Sequence, residues 1–71
     1  MDLMKVPVGQ EHIIADIAAG DRELENFLFT LGCFSGEPIT VVARRRGSCT
    51  VAIKDSRYSS DPQLARAITV A

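Results

Sequence analysis

The chain has no tryptophan, one tyrosine, one histidine and two cysteines in its 71 residues. Each scarcity removes a class of function. With His12 as the only imidazole, no Ser/His/Asp or Cys/His set can be assembled, so the chain is expected not to be an enzyme. Cys33 and Cys49 stand sixteen apart and neither belongs to a CxxC pair, so no disulfide framework is implied. Both read as free thiols in small apolar positions. No apolar run approaches the length that crosses a bilayer, and direct membrane insertion is not expected. The opening Met1-Asp2-Leu3-Met4-Lys5 lacks a basic region and a long apolar segment, so it does not read as a secretory signal, and a cytoplasmic location is expected. Gly32 and Gly36 do not fit the spacing of a phosphate-binding loop.

What is present is an ordinary globular composition, 46% hydrophobic, in a length that supports a single domain over residues 1–71. The net charge is −1, yet its signs are segregated. Residues 1–37 carry two basic against seven acidic side chains, a balance of −5, and residues 38–71 carry six basic against two acidic, a balance of +4. Either the halves interleave and the charges pair, or the surface is bipolar and orients a partner.

Leu24, Phe27, Leu28 and Leu31 recur at i, i+3, i+4 and i+7, one apolar stripe at helical period. Gly20-Asp21 caps this helix, with Asp21, Glu23 and Glu25 at its positive end, and Gly32 ends it. Around it the pattern is of short strands. Val6-Pro7-Val8-Gly9-Gln10 reads as a turn. Residues 11–19 form the first strand, with Ile13, Ala15 and Ile17 on one face and His12, Ile14, Asp16 and Ala18 on the other. Pro38–Arg45 is the second, with Ile39, Val41 and Ala43 on one face; Cys49–Lys54 is the third, with Cys49, Val51 and Ile53 on one face. Arg46-Gly47-Ser48 and Asp55-Ser56 are turns, and Arg57–Ser59 is a short fourth strand. Asp61 and Pro62 start a helical turn, and Ala67–Val70 closes the sheet. Five strands in this length must close or nearly close into a small, mainly β barrel, since open edges invite aggregation.

Candidate metal donors are His12, Cys33, Cys49, Asp16 and Glu11, and no pair has metal-ligand spacing. No cofactor is expected; a weak transition-metal site completed by a partner is left open. Arg44-Arg45-Arg46, with Lys54 and Arg57, makes a basic hairpin tip. No aromatic residue interleaves with these arginines, so the tip reads as a solvated turn and no nucleic-acid partner is expected. Phe29 lies off the apolar stripe, and Phe34 sits in the joint between two glycines. Either both are exposed as a contact patch, or the helix buries two faces and Phe34 plugs the barrel end. The candidate partner-binding residues are Phe29, Phe34, Arg44, Arg45 and Arg46.

Three segments carry a family likeness. Leu3 with Val6-Pro7-Val8-Gly9-Gln10, then Leu28, Leu31-Gly32 and Gly36 with Ile39 and Val41, then Leu64-Ala65 with Ile68 and Val70 resemble the ferrous iron transport protein A (FeoA) family. Cys33 stands where that family usually has an aliphatic residue, Ser60 where it often has leucine, and Glu25-Asn26 where basic residues are common. The resemblance implies an SH3-like barrel with one inserted helix and a short helical turn before the last strand. It also implies a cytoplasmic accessory protein of bacterial ferrous iron uptake. Such a protein would contact the cytosolic side of a FeoB-type permease and its G-domain, with transition-metal ion association. The same barrel resembles the C-terminal domain of DtxR-type repressors. The alternative function is therefore an SH3-like domain of a metal-dependent transcription regulator, or a small barrel that contacts nucleic acid.

Overall fold

A computed structural model describes residues 1–18 and 20–71. Its elements run β1 (Glu11–Ile17), α1 (Arg22–Thr30), β2 (Pro38–Arg45), β3 (Ser48–Ile53), β4 (Ser56–Ser60), α2 (Pro62–Ala67) and β5 (Ile68–Val70). The expected end of the first strand at Ala19 lies outside the described residues. The strands form one antiparallel sheet in the order β4-β3-β2-β1-β5. β1 divides its pairing: Glu11–Ile13 face β2, and Ile14–Ile17 face β5. This division curls the sheet about a single core. α2 packs against β3, β4 and β5 and spans the gap between the two edge strands.

Local chemistry explains most boundaries. Asp21 caps α1, its carboxylate accepting from the Glu23 N–H at 2.9 Å. At the other end Cys33 N–H donates to the Leu28 carbonyl at 2.9 Å and Gly32 N–H to the Phe29 carbonyl at 3.0 Å, with Gly32 at φ +85°. This is a Schellman turn, and Leu28 and Cys33, both buried, close it with an apolar contact. Arg46 and Gly47 both take positive φ in the two-residue β2–β3 turn, as a type I′ hairpin requires. Asp61 caps α2 through the Leu64 N–H at 2.8 Å, with Pro62 at the first helical position.

On β3 the core face is the expected one: Cys49, Val51 and Ile53 are buried. Two strands depart from simple alternation. In β2 the register shifts between Val41 and Ala43, so Val42 is an extra residue and the face parity inverts beyond it. Ile39 and Val41 point inward as expected, but Ala43 is exposed, and Arg44, opposite buried Cys49, turns inward. In β1 the shift falls between Ile14 and Asp16. The buried position is Ile14, followed by half-buried Ile17, while Ile13 is 45% exposed. The same bulge places His12, opposite buried Ile39, and Asp16, opposite Thr69, on different faces, correcting their expected shared face.

The inward Arg44 has a task. Its Nη2 donates to the carbonyls of Leu3 and Val6, both at 2.7 Å, and so ties the N-terminal segment down on the barrel. Leu3 and Val6 are fully buried beneath it. Ser60, the other polar residue at a core position, satisfies its hydroxyl by donating to the Cys49 carbonyl at 3.1 Å.

Cys33 is buried, and desolvation pushes its thiol up to about 11 from the ordinary 9.0. The folded state therefore disfavours the thiolate. Stability from this group is fully present below pH 9.0 and is lost as pH rises through about 11. Denaturant titrations are expected to show a loss of roughly 2 kcal/mol between pH 9 and 11, and Cys33→Ala should flatten that slope.

Candidate functional site

The Schellman turn reverses the chain just past α1 and lays Phe34 against Phe29, ring centroids 4.9 Å apart and tilted by 31°. The joint beneath is stitched to β1: Gly36 N–H donates to the Ile14 carbonyl at 2.8 Å, Ile14 N–H to the Glu37 carbonyl at 2.9 Å, and the Ser35 hydroxyl to the Ala15 carbonyl at 3.0 Å. Phe34 is thus held on a fixed base, half-buried, while Phe29 is 63% exposed. Phe29 is thus exposed as the contact reading requires, whereas Phe34 is half-buried and is not among the side chains packed against the core cluster.

Lys54 completes the patch from the far side. It sits at φ +54° in the two-residue β3–β4 turn, with Nζ 5.4 Å from the Phe34 ring centroid and 3.7 Å from a Glu37 carboxylate oxygen. The ring contact contributes about 0.5–1 kcal/mol at such an exposed site. Its aliphatic stem runs beside Gly32, where a Cβ would meet Cδ of Lys54 at 3.3 Å. Gly32 therefore serves twice, in its left-handed φ and in the room it leaves for Lys54.

Phe27 departs from expectation. It belongs to the helical stripe, yet it is 43% exposed and meets Tyr58 edge-on, centroids 5.6 Å apart at 65°. α1 docks chiefly through Leu28, with Leu24 and Leu31 half-buried beside it, so Phe27 lies at the margin of the contact. Sequence reading passed over Tyr58 and grouped Lys54 with the basic hairpin tip, whereas Lys54 lies in the turn at the opposite end of β3. Lys54 could have been found from the period-two run that ends at Ile53, which leaves the next residue in the turn.

The arginines are elsewhere. Arg45 and Arg46 stand at the start of β3 and Lys54 at its end, and six residues of strand span about 20 Å. The aromatic pair and the basic turn are thus not one continuous surface, and Arg44 is engaged inside by the Leu3 and Val6 carbonyls. Arg45 and Arg46 remain exposed. Beside them a groove of about 380 Å³ is lined by Ala43, Arg44, Arg45, Ser48, Thr50 and Ser59. Charge pairing between the two halves is sparse: among the described residues the ion pair is Lys54–Glu37. Both cysteines are buried, and among the described residues no three His, Cys, Asp or Glu side chains converge as a metal site would need. No helix of the described residues is long and apolar enough to cross a membrane.

The FeoA domain model matches residues 1–71. The chain belongs to the FeoA domain family. That is a family of small accessory domains associated with ferrous iron transport. No curated protein matches the chain. Among solved structures, FeoA from Chlorobium tepidum shares 21% identity at a TM-score of 0.89, over 99% of this chain and 68% of that one. A zinc complex of Stenotrophomonas maltophilia FeoA, described as a prokaryotic SH3 domain protein, shares 18% at a TM-score of 0.86, over 100% and 89%. A manganese-dependent transcriptional repressor shares 25% at a TM-score of 0.88 over all of this chain, and this chain spans 40% of the repressor's length. The curled five-stranded sheet is accordingly an SH3-like fold, as the resemblance implied.

Proposed function

We propose that this FeoA-family chain is a cytoplasmic accessory protein of ferrous iron uptake that acts by docking onto the cytosolic region of a FeoB-type permease. The observation that carries this reading is the Phe29–Phe34 pair. It joins an exposed Phe29 ring to a half-buried Phe34 ring on a fixed base, and neither belongs to the core cluster. Family membership supplies the transport context, and the Stenotrophomonas maltophilia relative is put forward as a bacterial ferrous iron transport activating factor. Arg45 and Arg46 provide a second, electrostatic point of contact at the other end of β3, which sets orientation more than affinity. Arg44, the third arginine of the basic turn, contributes by holding the N-terminal segment beside that end.

The test is a chemical-shift map on adding the permease's cytosolic region, made with the wild type and with Phe29→Ser/Phe34→Ser. The expected result is that shifts centre on residues 27–36 and Lys54, and that the double variant binds at least about tenfold more weakly while its Tm stays within a few degrees. A large loss of stability would instead assign the two rings to the core. The repressor match supports a second reading, that the same barrel serves as a module of a metal-dependent transcription regulator. A steeply salt-dependent titration with nucleic acid, beside silence toward the permease region, would favour that reading.

A further inference from the structure

β4 is an edge strand of the sheet. Among the described residues no backbone group other than those of β3 bonds to it, so alternate N–H and C=O groups along its outer side are free. Edges are often blunted by proline or a bulge, besides charge and shortness, which β4 shows only in Arg57 and its five residues. β4 reads Ser56-Arg57-Tyr58-Ser59-Ser60, has no proline or bulge, and keeps an unbroken register against β3. α2 covers its Ser60 end, leaving Ser56–Ser59 open.

The two faces beside this edge differ in chemistry. Tyr58 pairs with buried Val51 and so shares the inner face, where the half-exposed Phe27 ring leans on it. Arg57 and Ser59 occupy the outer face, and Ser59 borders the groove that also holds Arg45. A strand laid on the edge would alternate its side chains between an aromatic shelf and a basic face. We propose that the β4 edge accepts an extended protein segment with alternating acidic and apolar residues, its backbone completing the ladder and its acidic side chains facing Arg57. This contact is independent of the Phe29–Phe34 docking above. Nucleic acid fits less well, because the groove offers Ala43, Thr50 and Ser59 and no aromatic to stack a base. A second copy of the chain fits less well too, because antiparallel self-pairing brings Arg57 close to its own counterpart.

The experiment titrates the full chain by NMR with a blocked heptapeptide of alternating Glu and Val. The comparison ligands are its alternately N-methylated form, the matching Lys/Val peptide and an oligothymidylate. The expected result is amide shifts at Ser56–Ser59 with ring shifts at Phe27 and Tyr58, and no binding of the N-methylated form. Arg57→Glu should weaken the Glu/Val peptide at least about tenfold and admit the Lys/Val peptide. Equal binding of the N-methylated peptide overturns strand addition, as do shifts confined to Arg45–Arg46 or to Phe29 and Phe34. Tighter binding of the oligonucleotide, or concentration-dependent pairing through β4 without peptide, overturns the choice of occupant. The wild-type comparison of the two Glu/Val peptides decides the matter even where the variant does not fold.

Discussion

Leu28→Ala is expected to cost this domain about 3 kcal/mol and to lower its Tm by roughly 10–20 °C. Leu28 is 1% exposed and is the fully buried side chain through which α1 meets the sheet. Its carbonyl also receives the Cys33 N–H that closes the helix. A domain of this size is stabilised by only about 4–10 kcal/mol in total, so the loss is a large fraction of what holds it folded. The same truncation at Phe27 should cost about 1 kcal/mol, since that ring leans on Tyr58 at the margin and does not fill a hole. Paired thermal melts of the two variants check the contrast. Equal losses would mean that α1 docks through a broader face than the burial indicates.

The second large effect belongs to Arg44. Arg44→Met removes a charged donor from two carbonyls, each held at 2.7 Å, and leaves both beneath the N-terminal turn. Hydrogen bonds to charged groups contribute about 1.5–3 kcal/mol each, and the orphaned acceptors add to the loss. We expect a decrease of about 3 kcal/mol in denaturant midpoint experiments. Amide exchange should accelerate first at Leu3 and Lys5, whose N–H groups bond to Ala65 and Asp2 carbonyls in the segment that Arg44 holds. Arg44→Lys should recover less than half the loss, because the lysine side chain is one atom shorter and its Nζ stops short of the point from which Nη2 serves both carbonyls. Uniform exchange along the chain would show instead that Arg44 acts through the whole core.

The sequence made the local devices readable and concealed the parity changes. β2 matches the expected Pro38–Arg45 span, and the Cys49-Val51-Ile53 face, the Asp61-Pro62 start and the Gly32 stop all follow from period, capping and φ preference. The bulges left no trace, because Val42 and Ala15 are ordinary strand residues, and nothing in composition marks an extra residue that only a partner strand defines. That one omission explains why Ala43 and Arg44 exchanged faces, why Ile13 faces outward, and why His12 and Asp16 part. The candidate patch was half legible. Phe29 stood off the stripe and Phe34 stood in a joint, but their stacking depends on the reversal at Gly32. Lys54 reaches Phe34 from twenty residues away, a contact no periodicity reports. The separation of the arginines from the aromatics follows from the length of β3, which places the two turns at opposite ends.

The turns themselves have a mechanical consequence. Arg46–Gly47 and Lys54–Asp55 are the shortest links that can join antiparallel neighbours, so β2, β3 and β4 form a stiff plate with no slack between its members. The joint from Leu31 to Glu37 is tied to β1 by its own backbone bonds, so the Phe34 ring and the Lys54 turn beside it are presented by one continuous frame.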